Sequence, residues 1–286
     1  MTIKELLDRA ALEARETRGD ATLWDARLLL AHVLEGRNPL GLDPKASLEP
    51  ARRERFEAIW RKRLSGVPVQ HLIGEWDFFG RTFRVDGRAL VPRPETEILL
   101  VQALAALPPA GRILDAGTGS GIIAISYLLE RPGARAVALD VSIDALALAQ
   151  ENAARHGVLG RLGLLASDWL TALRPAPFDA ILSNPPYLAL GEAPHLPKTV
   201  REHDPRRALF SGDDGLLAIR HLLDTCSGFL GPGGLLIFEI GFGQAAAVER
   251  EVRQRPVWSF ARIEPDLQGV PRIALARLAP GPPPGA

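Results

Sequence analysis

The residues best suited to chemistry are Asn184, Pro185, Pro186 and Tyr187, which follow a short apolar run at residues 180–182. Two successive prolines fix φ and lack backbone N–H groups, and the residue before a proline is held in extended geometry. This corner therefore presents carbonyl oxygens, one side-chain amide and an aromatic ring. It can hold a planar NH2 group, with both hydrogens on oxygens and the flat face on Tyr187. The alternative interpretation is that the prolines only end a strand.

A second set of polar residues lies in the sequence DAGTGSG at residues 115–121, between a predicted strand and a predicted helix. Glycines at such a turn let the backbone approach a ligand closely. The Asp115 carboxylate suits the ammonium group of a ligand. Residue 122 is isoleucine, so the loop lacks the last glycine of the G-x-G-x-x-G pattern that is typical of NAD sites.

Two further predicted strands also end in polar residues. Asp140 ends residues 136–140, where a carboxylate can accept hydrogen bonds from ribose hydroxyls. Asp168 and Trp169 follow residues 162–166, where an acid and a ring can bracket an adenine. Each residue alone has a plain structural interpretation, in a turn or before a helix. Successive parallel strands that all end in polar groups instead favour one shared ligand site.

The elements that must position these residues alternate between strand and helix patterns from residue 111 onward. Strands are expected at 112–116, 136–140, 162–166, 180–182, 235–240, 259–263 and 272–277. This alternation predicts an α/β fold with a doubly wound, mainly parallel sheet. Residues 188–212 show little periodicity, and we expect them to form a lid over the substrate.

The amino-terminal part of the chain has a different pattern. Helical periodicity covers most of residues 1–75, and residues 76–91 alternate aromatic and β-branched residues, as in a β-hairpin. We therefore expect four segments. They are a helical domain at 1–75, a hairpin linker at 76–92, a ligand-binding α/β domain at 93–278 and a disordered tail at 279–286.

The composition restricts the classes of function. The 286 residues include 34 Lys plus Arg and 34 Asp plus Glu, so the formal net charge is zero and a broadly basic nucleic-acid surface is not favoured. Cys226 is the one cysteine, which excludes a disulfide within the chain and argues against a cysteine-based metal site. The amino terminus lacks a signal-peptide pattern and no apolar run reaches membrane-spanning length, so a cytoplasmic protein is expected.

The motifs DAGTGSG, LD at 139–140 and NPPY at 184–187 resemble class I S-adenosylmethionine-dependent amino-methyltransferases. Residues 70–278 resemble the release factor glutamine methyltransferases of the HemK or PrmC type. Besides the motifs above, the resemblance rests on the segments GEWDFFGRTFRVDGRALVPRPETE, ENAARHG, LFSGDDGL and PGGLLIFEIGFGQ. NPPY alone also occurs in adenine and guanine amino-methyltransferases. The chain departs from the expected pattern at His71, where tyrosine is expected, and at Asp204, where glutamate is expected.

The resemblance implies a Rossmann-like, seven-stranded methyltransferase sheet with a small helical domain that recognises the substrate. It implies that the cofactor is S-adenosylmethionine and that the protein partners are bacterial class 1 peptide-chain release factors, methylated on the GGQ glutamine. The implied cofactor-binding residues are Gly117, Thr118, Gly119, Ser120, Gly121, Asp140, Asp168, Trp169 and Asn184. The implied substrate-binding residues are Asn184, Pro185, Pro186 and Tyr187, of which Asn184, Pro185 and Tyr187 are catalytic. No metal, membrane or stable nucleic-acid complex is expected.

The predicted mechanism depends on orientation, because an amide nitrogen is a poor nucleophile and the sequence offers no obvious general base at the motif. Three other classes of function are compatible with parts of the sequence. A nucleic-acid base methyltransferase would use the same corner but needs a basic, aromatic-rich surface. A non-catalytic adaptor would not need the intact NPPY corner, and the glycine spacing disfavours an NAD-linked oxidoreductase.

Overall fold

The computed structural model describes residues 1–17, 19–36 and 38–279. These residues form two units. The first unit contains Met1–Trp76, Val85–Gly87 and Ala193–Asp204, and the second contains Asp77–Arg84, Arg88–Glu192 and the chain from Pro205 onward. The tail predicted at 279–286 lies, except for Ala279, outside the described residues.

The amino-terminal part of the first unit is helical, as its periodicity predicts. Its helices are α1 (Ile3–Thr17), α2 (Leu23–Val33), α3 (Pro50–Leu64) and α4 (Val69–Ile73). Thr2 and Glu5 form a reciprocal cap of α1, since the Thr2 N–H donates to Glu5 at 2.8 Å and the Glu5 N–H donates to Thr2 at 3.3 Å. The helices enclose an apolar core that includes Phe56 and Trp60, both at most 2% exposed. Helix α4 was not predicted, because five residues carry too little periodicity.

The second unit is built on a sheet, and a short hairpin of β1 (Glu75–Phe78) and β2 (Arg81–Arg84) precedes it in sequence. The strands of the sheet are β3 (Arg112–Ala116), β4 (Arg135–Asp140), β5 (Leu162–Ala166), β6 (Phe178–Ser183), β7 (Leu230–Glu239), β8 (Trp258–Pro265) and β9 (Pro271–Leu278). Within the described residues the sheet has seven strands in the order β5-β4-β3-β6-β7-β9-β8. Strands β3 to β7 pair in parallel, and β9 runs antiparallel to both of its neighbours. The predicted mainly parallel α/β fold is confirmed.

The remaining helices connect these strands. They are α5 (Thr96–Ala106), α6 (Ile122–Glu130), α7 (Ile143–Arg155), α8 (Lys198–His203), α9 (Arg206–Leu209), α10 (Leu217–Thr225) and α11 (Ala245–Arg253). The central strands are buried on both faces, which is why β3 and β6 contain short apolar runs at residues 113–114 and 180–182. The chain order reverses at β3, which lies between β4 and β6. The carboxyl ends of strands at such a reversal point are where open α/β sheets bind ligands.

One local expectation was wrong in detail. The hairpin is shorter than residues 76–91, because the Asp86-Gly87 turn is not followed by a second pair of strands. The connection at 188–212, which shows little periodicity in sequence, contains a 3₁₀ turn at Leu190–His195 followed by α8 and α9. Prolines interrupt these elements at Pro194, Pro197 and Pro205, which keeps them too short to show a helical period.

Candidate active site

The Asn-Pro-Pro-Tyr corner begins where β6 leaves the sheet. Ser183, the last residue of β6, is fully buried and its hydroxyl donates to the Ala116 carbonyl at the end of β3, at 2.7 Å. This bond ties the two central strands together at their carboxyl ends. Asn184, Pro185 and Pro186 consequently lie on the wall of a cavity of about 1250 Å³.

The glycine loop after β3 forms the opposite part of the cavity wall. Gly117 and Gly119 have φ of 77° and 55°, a region that favours glycine, and both line the cavity together with Thr118 and Ser120. The loop is held to the next strand because the Gly117 and Thr118 N–H groups donate to the Leu139 carbonyl at 2.9 and 2.8 Å. The backbone of the loop is therefore presented to a ligand.

Gly121 has a different role from the one that the resemblance implies. It is not among the residues that line the cavity. A Cβ at this position would lie 2.8 Å from Ile125 Cδ1 and 3.1 Å from Ala149 Cβ, so Gly121 allows α6 and α7 to pack closely. The glycine pattern alone did not separate ligand approach from helix packing.

Asp140 lies at the end of β4 and lines the cavity, as predicted. Its Oδ2 accepts from the Gly119 N–H at 2.9 Å and its Oδ1 accepts from the Ser142 N–H at 2.9 Å. Two backbone donors thus fix the carboxylate. Its remaining lone pairs are available to ribose hydroxyls.

Asp168 and Trp169 also line the cavity, after β5. Trp169 adopts a φ of 52°, which a bulky residue rarely adopts and which marks a sharply turned backbone. Its ring centroid lies 5.3 Å from that of His221 on α10, another lining residue. The contact with His221 therefore supports one side of the Trp169 indole, which suits a ring that stacks on an adenine.

Asp115 lies behind the glycine loop and is not a cavity-lining residue. Its carboxylate is fully buried, and Oδ2 accepts from the Thr118 hydroxyl at 2.6 Å and from the Ala124 N–H at 3.2 Å. Within the described residues, Oδ1 has no hydrogen-bond partner. Burial raises the pKa of Asp115 to about 7. In this structure Asp115 holds the loop in place rather than facing the cavity.

Tyr187 closes the motif and lies next to the cavity without being one of its lining residues. Burial, followed by the neighbouring Glu239 carboxylate, raises the pKa of the Tyr187 phenol. The Tyr187 carbonyl accepts from Gln244 Nε2 at 2.9 Å. Tyr187 is therefore held from its backbone by a side chain that follows β7.

Sequence reasoning missed a hydrogen-bond chain behind Asn184. Asn184 Nδ2 donates to Thr96 Oγ1 at 3.0 Å, and Thr96 Oγ1 donates to Glu239 Oε2 at 2.7 Å. Thr96 and Glu239 are each 1% exposed. Burial raises the pKa of Glu239 to about 7. Both residues lie in sequence segments on which the family resemblance rests, PRPETE and IFEIGFGQ. Neither segment by itself assigns Thr96 or Glu239 a role.

The cavity fits S-adenosylmethionine. It combines positive-φ glycines, a carboxylate with free lone pairs and an aromatic ring, which suit the amino-acid part, the ribose and the adenine of such a ligand. Among residues 1–17, 19–36 and 38–279, no three His, Cys, Asp or Glu side chains are grouped to hold a metal ion. Over the same ranges, every helix is too short or too polar to cross a membrane.

The comparisons with solved structures agree with this fold. A methyltransferase from Pyrococcus furiosus is 18% identical with a TM-score of 0.52, covering 70% of this chain and 90% of that one. A T. thermophilus 16S rRNA methyltransferase in complex with AdoMet and guanosine is 17% identical with a TM-score of 0.50, covering 72% and 50%. Fold and site together define a class I methyltransferase.

The sequence comparisons identify the family. The family model described as the PrmC N-terminal domain matches residues 5–74, and the methyltransferase small domain matches residues 95–198. The release factor glutamine methyltransferase of Cereibacter sphaeroides is 45% identical, covering 94% of this chain and 96% of its own length. That of Bradyrhizobium diazoefficiens is 40% identical, with 94% and 93% covered. The chain belongs to the release factor glutamine methyltransferase family.

Proposed function

We propose that this protein transfers a methyl group from S-adenosylmethionine to the side-chain amide nitrogen of the GGQ glutamine in class 1 peptide-chain release factors, in the cytoplasm, in support of translation termination. One observation carries the proposal: the intact Asn-Pro-Pro corner and the glycine loop line the same cavity. Family membership over nearly the whole chain supports the choice of substrate.

The residues of the second unit divide between cofactor and substrate. Gly117, Thr118, Gly119, Ser120, Asp140, Asp168, Trp169 and Asn184 line the cavity and are proposed to contact the cofactor or to lie beside it. When bound there, S-adenosylmethionine supplies an electrophilic methyl group on its sulfonium. Gly121 supports the loop through packing, as described above.

The corner is proposed to orient the substrate rather than to deprotonate it. Asn184 Oδ1 and the Pro185 carbonyl accept the two hydrogens of the glutamine NH2 group, and Tyr187 packs against the amide plane. This arrangement directs the nitrogen lone pair at the methyl group. Orientation of this kind contributes about 7–11 kcal/mol at best. The methylated nitrogen is acidic, and it releases its proton to water.

The helical part of the first unit, at residues 1–75, is proposed to recognise the release factor. The hairpin linker at 76–92 and the methyltransferase domain at 93–278 complete the proposed organisation. Support for the first assignment is the separate family model that matches residues 5–74. A deletion of this segment from a folded methyltransferase domain would test whether the affinity for the release factor depends on it.

Transfer of a labelled methyl group tests the function. The purified protein is incubated with labelled S-adenosylmethionine and a class 1 release factor, the same factor with its GGQ glutamine replaced by alanine, tRNA or DNA. Label in the unaltered factor alone is the expected result. Label in tRNA or DNA would instead indicate a nucleic-acid base methyltransferase, and equal label in both factors would place the methyl group elsewhere.

A further inference from the structure

We propose that Thr96 is a positioning residue that, together with Glu239, holds the Asn184 carboxamide with Oδ1 toward the cavity, so that the site selects a carboxamide over a carboxylate. This inference rests on the proposed function. It assigns the substrate specificity of the site to Thr96 and Glu239, two residues outside the Asn-Pro-Pro-Tyr motif. The groups concerned form one chain of hydrogen bonds within the second unit.

The direction of each hydrogen bond follows from the chemistry of the chain. A carboxylate only accepts, so the Thr96 hydroxyl must give its one hydrogen to Glu239 Oε2, 2.7 Å away. The Thr96 oxygen can then only accept from Asn184, 3.0 Å away, and the atom it faces must be Nδ2. A flipped Asn184 would bring Oδ1 against an oxygen that has no hydrogen left to donate.

This orientation decides what the cavity presents to a substrate. With Nδ2 committed to Thr96, Asn184 offers Oδ1, an acceptor, beside the Pro185 carbonyl, another acceptor. Two acceptors match the NH2 group of glutamine and repel the carboxylate oxygens of glutamate. A flipped Asn184 would offer an NH2 group, which suits a carboxylate and leaves a substrate NH2 without its partner.

Burial makes the hydrogen-bond chain effective. Thr96 and Glu239 are each 1% exposed, so water does not compete for their hydrogen bonds. Glu239 also neighbours the Tyr187 phenol, whose pKa its charge raises, so one carboxylate acts on two residues of the corner. The charged groups that face Glu239 are Glu95 and Arg272, which act on it in opposite directions.

Protonation of Glu239 would release this constraint. A carboxylic acid can donate to Thr96 Oγ1, which frees the Thr96 hydrogen to donate to a flipped Asn184 Oδ1. Burial raises the pKa of Glu239 to about 7, which puts this change within the working range of an assay. Glu239→Gln supplies a permanent NH2 donor at the same place and mimics the protonated state.

The first test compares Thr96→Val, which keeps the shape but removes the hydroxyl, with Thr96→Ser, which keeps the hydroxyl. The matched control is Thr225→Val, since the Thr225 hydroxyl donates to the His221 carbonyl, at 2.8 Å, and takes no part in the chain from Asn184 to Glu239. Methyl transfer to the release factor gives kcat and KM, and a factor with glutamate at the target position gives an inhibition constant. The midpoint of thermal unfolding and the affinity for S-adenosylmethionine show whether each variant is folded.

We expect Thr96→Val to lose at least about tenfold in kcat/KM and to gain affinity for the glutamate-bearing factor. Thr96→Ser and Thr225→Val should stay within about threefold of the unaltered protein on both measures. The inference is overturned if Thr96→Val keeps its activity and its preference for glutamine, or if Thr96→Ser is impaired to the same extent.

The second test is the pH profile of kcat/KM, which does not depend on the folding of Thr96→Val. The unaltered protein should lose activity as the pH falls through about 7, and Glu239→Gln should be about tenfold less active at pH 8 with a flattened acid side. An unchanged acid side in Glu239→Gln would overturn the inference. If the unaltered protein transfers no methyl group to the release factor, the proposed function itself fails and this inference falls with it. If the unaltered protein is active and the Thr96 variants equal it in activity and in preference for glutamine, this inference is refuted and the proposed function is not.

Discussion

Gln244 donates a hydrogen bond from Nε2 to the main-chain carbonyl of Tyr187 at 2.9 Å, while its Oε1 accepts from the Gly241 N–H at 2.8 Å. Gln244 precedes α11 and Gly241 follows β7, so one side-chain amide joins the end of the Asn-Pro-Pro-Tyr motif to the neighbouring strand. A side-chain amide can donate to one of these groups and accept from the other, which a carboxylate cannot do. This link holds Tyr187 from its backbone.

Gln244→Glu should therefore weaken catalysis. A carboxylate has no hydrogen to donate, so an acceptor would face the Tyr187 carbonyl and displace it. We expect a loss of about tenfold or more in kcat, which corresponds to about 1.4 kcal/mol. Gln254→Glu makes the same change at an exposed residue after α11 and should leave kcat unaltered. Equal kinetics for the two variants would contradict the structural role of Gln244.

Gly215 lies against the same carbonyl group. It has a φ of +74°, and a Cβ there would overlap the Tyr187 carbonyl oxygen and lie 2.8 Å from Gln244 Nε2. Gly215→Ala should lower stability by about 1–3 kcal/mol through strain. It should also lower kcat, because Tyr187 has to move. Gly160→Ala is the control, as its Cβ would meet nothing within 4 Å. Chemical denaturation measures the loss of stability, and methyl-transfer rates measure the loss of kcat. Unchanged stability and kcat in Gly215→Ala would disprove both effects.

Asn184→Ala should abolish turnover and leave cofactor binding largely intact. The substitution removes the Oδ1 acceptor on which the proposed orientation depends, while the glycine loop and Asp140 are unaffected. Calorimetric binding of S-adenosylmethionine and single-turnover methyl transfer separate the two functions. Turnover within about tenfold of the unaltered protein would be too small a loss for the proposed mechanism.

Asp115 should make the stability of the protein depend on pH. Burial raises its pKa from the ordinary 3.8 to about 7, so the folded state keeps a proton that the unfolded state has released. Between pH about 4 and 7 the folded state therefore binds more protons, and its free energy of unfolding falls as the pH rises, by up to about 4 kcal/mol. The contribution is fully present below pH about 4 and is lost above pH about 7.

Asp115→Asn removes this titration and should make the pH dependence of unfolding shallower over the same range, while Glu239, whose pKa burial also raises to about 7, keeps its own contribution. Asp213→Asn, at an exposed aspartate, serves as the control. Urea unfolding at several pH values measures the slopes. Parallel slopes for the unaltered protein and Asp115→Asn would show that Asp115 does not titrate as the structure indicates.

Two hydrogen bonds to Asp20 hold part of the segment at residues 188–212, which we predict to be a lid. Thr199 donates to Asp20 Oδ2 from its backbone N–H at 3.0 Å and from its hydroxyl at 3.1 Å, both within the first unit. Asp20→Ala should free this segment and increase tryptic cleavage after Lys198 and Arg201. Asp8→Ala, which removes only an exposed pair with Lys4, should not. Addition of cofactor and release factor should slow cleavage in the unaltered protein if the segment covers the substrate.

The sequence by itself determined the order of strands and helices, because buried parallel strands and amphipathic helices have periods that are visible in single residues. It also placed Asn184, Asp140 and Trp169 at strand ends, since polar residues directly after an apolar run mark the carboxyl ends of strands. A parallel sheet necessarily brings those ends to one edge. The polar lining residues that follow these strands were therefore predictable from local pattern, whereas other lining residues such as Phe210 and His221 were not.

Only the tertiary structure decided which side chains support that set. Thr96 lies 88 residues before Asn184, and Glu239 lies 143 residues after Thr96, so no local period connects them. The same holds for Gln244 and Tyr187. The direction of the Asn184 carboxamide, the packing role of Gly121 and the place of Asp115 behind the loop depend on contacts between distant segments, which only the folded chain brings together.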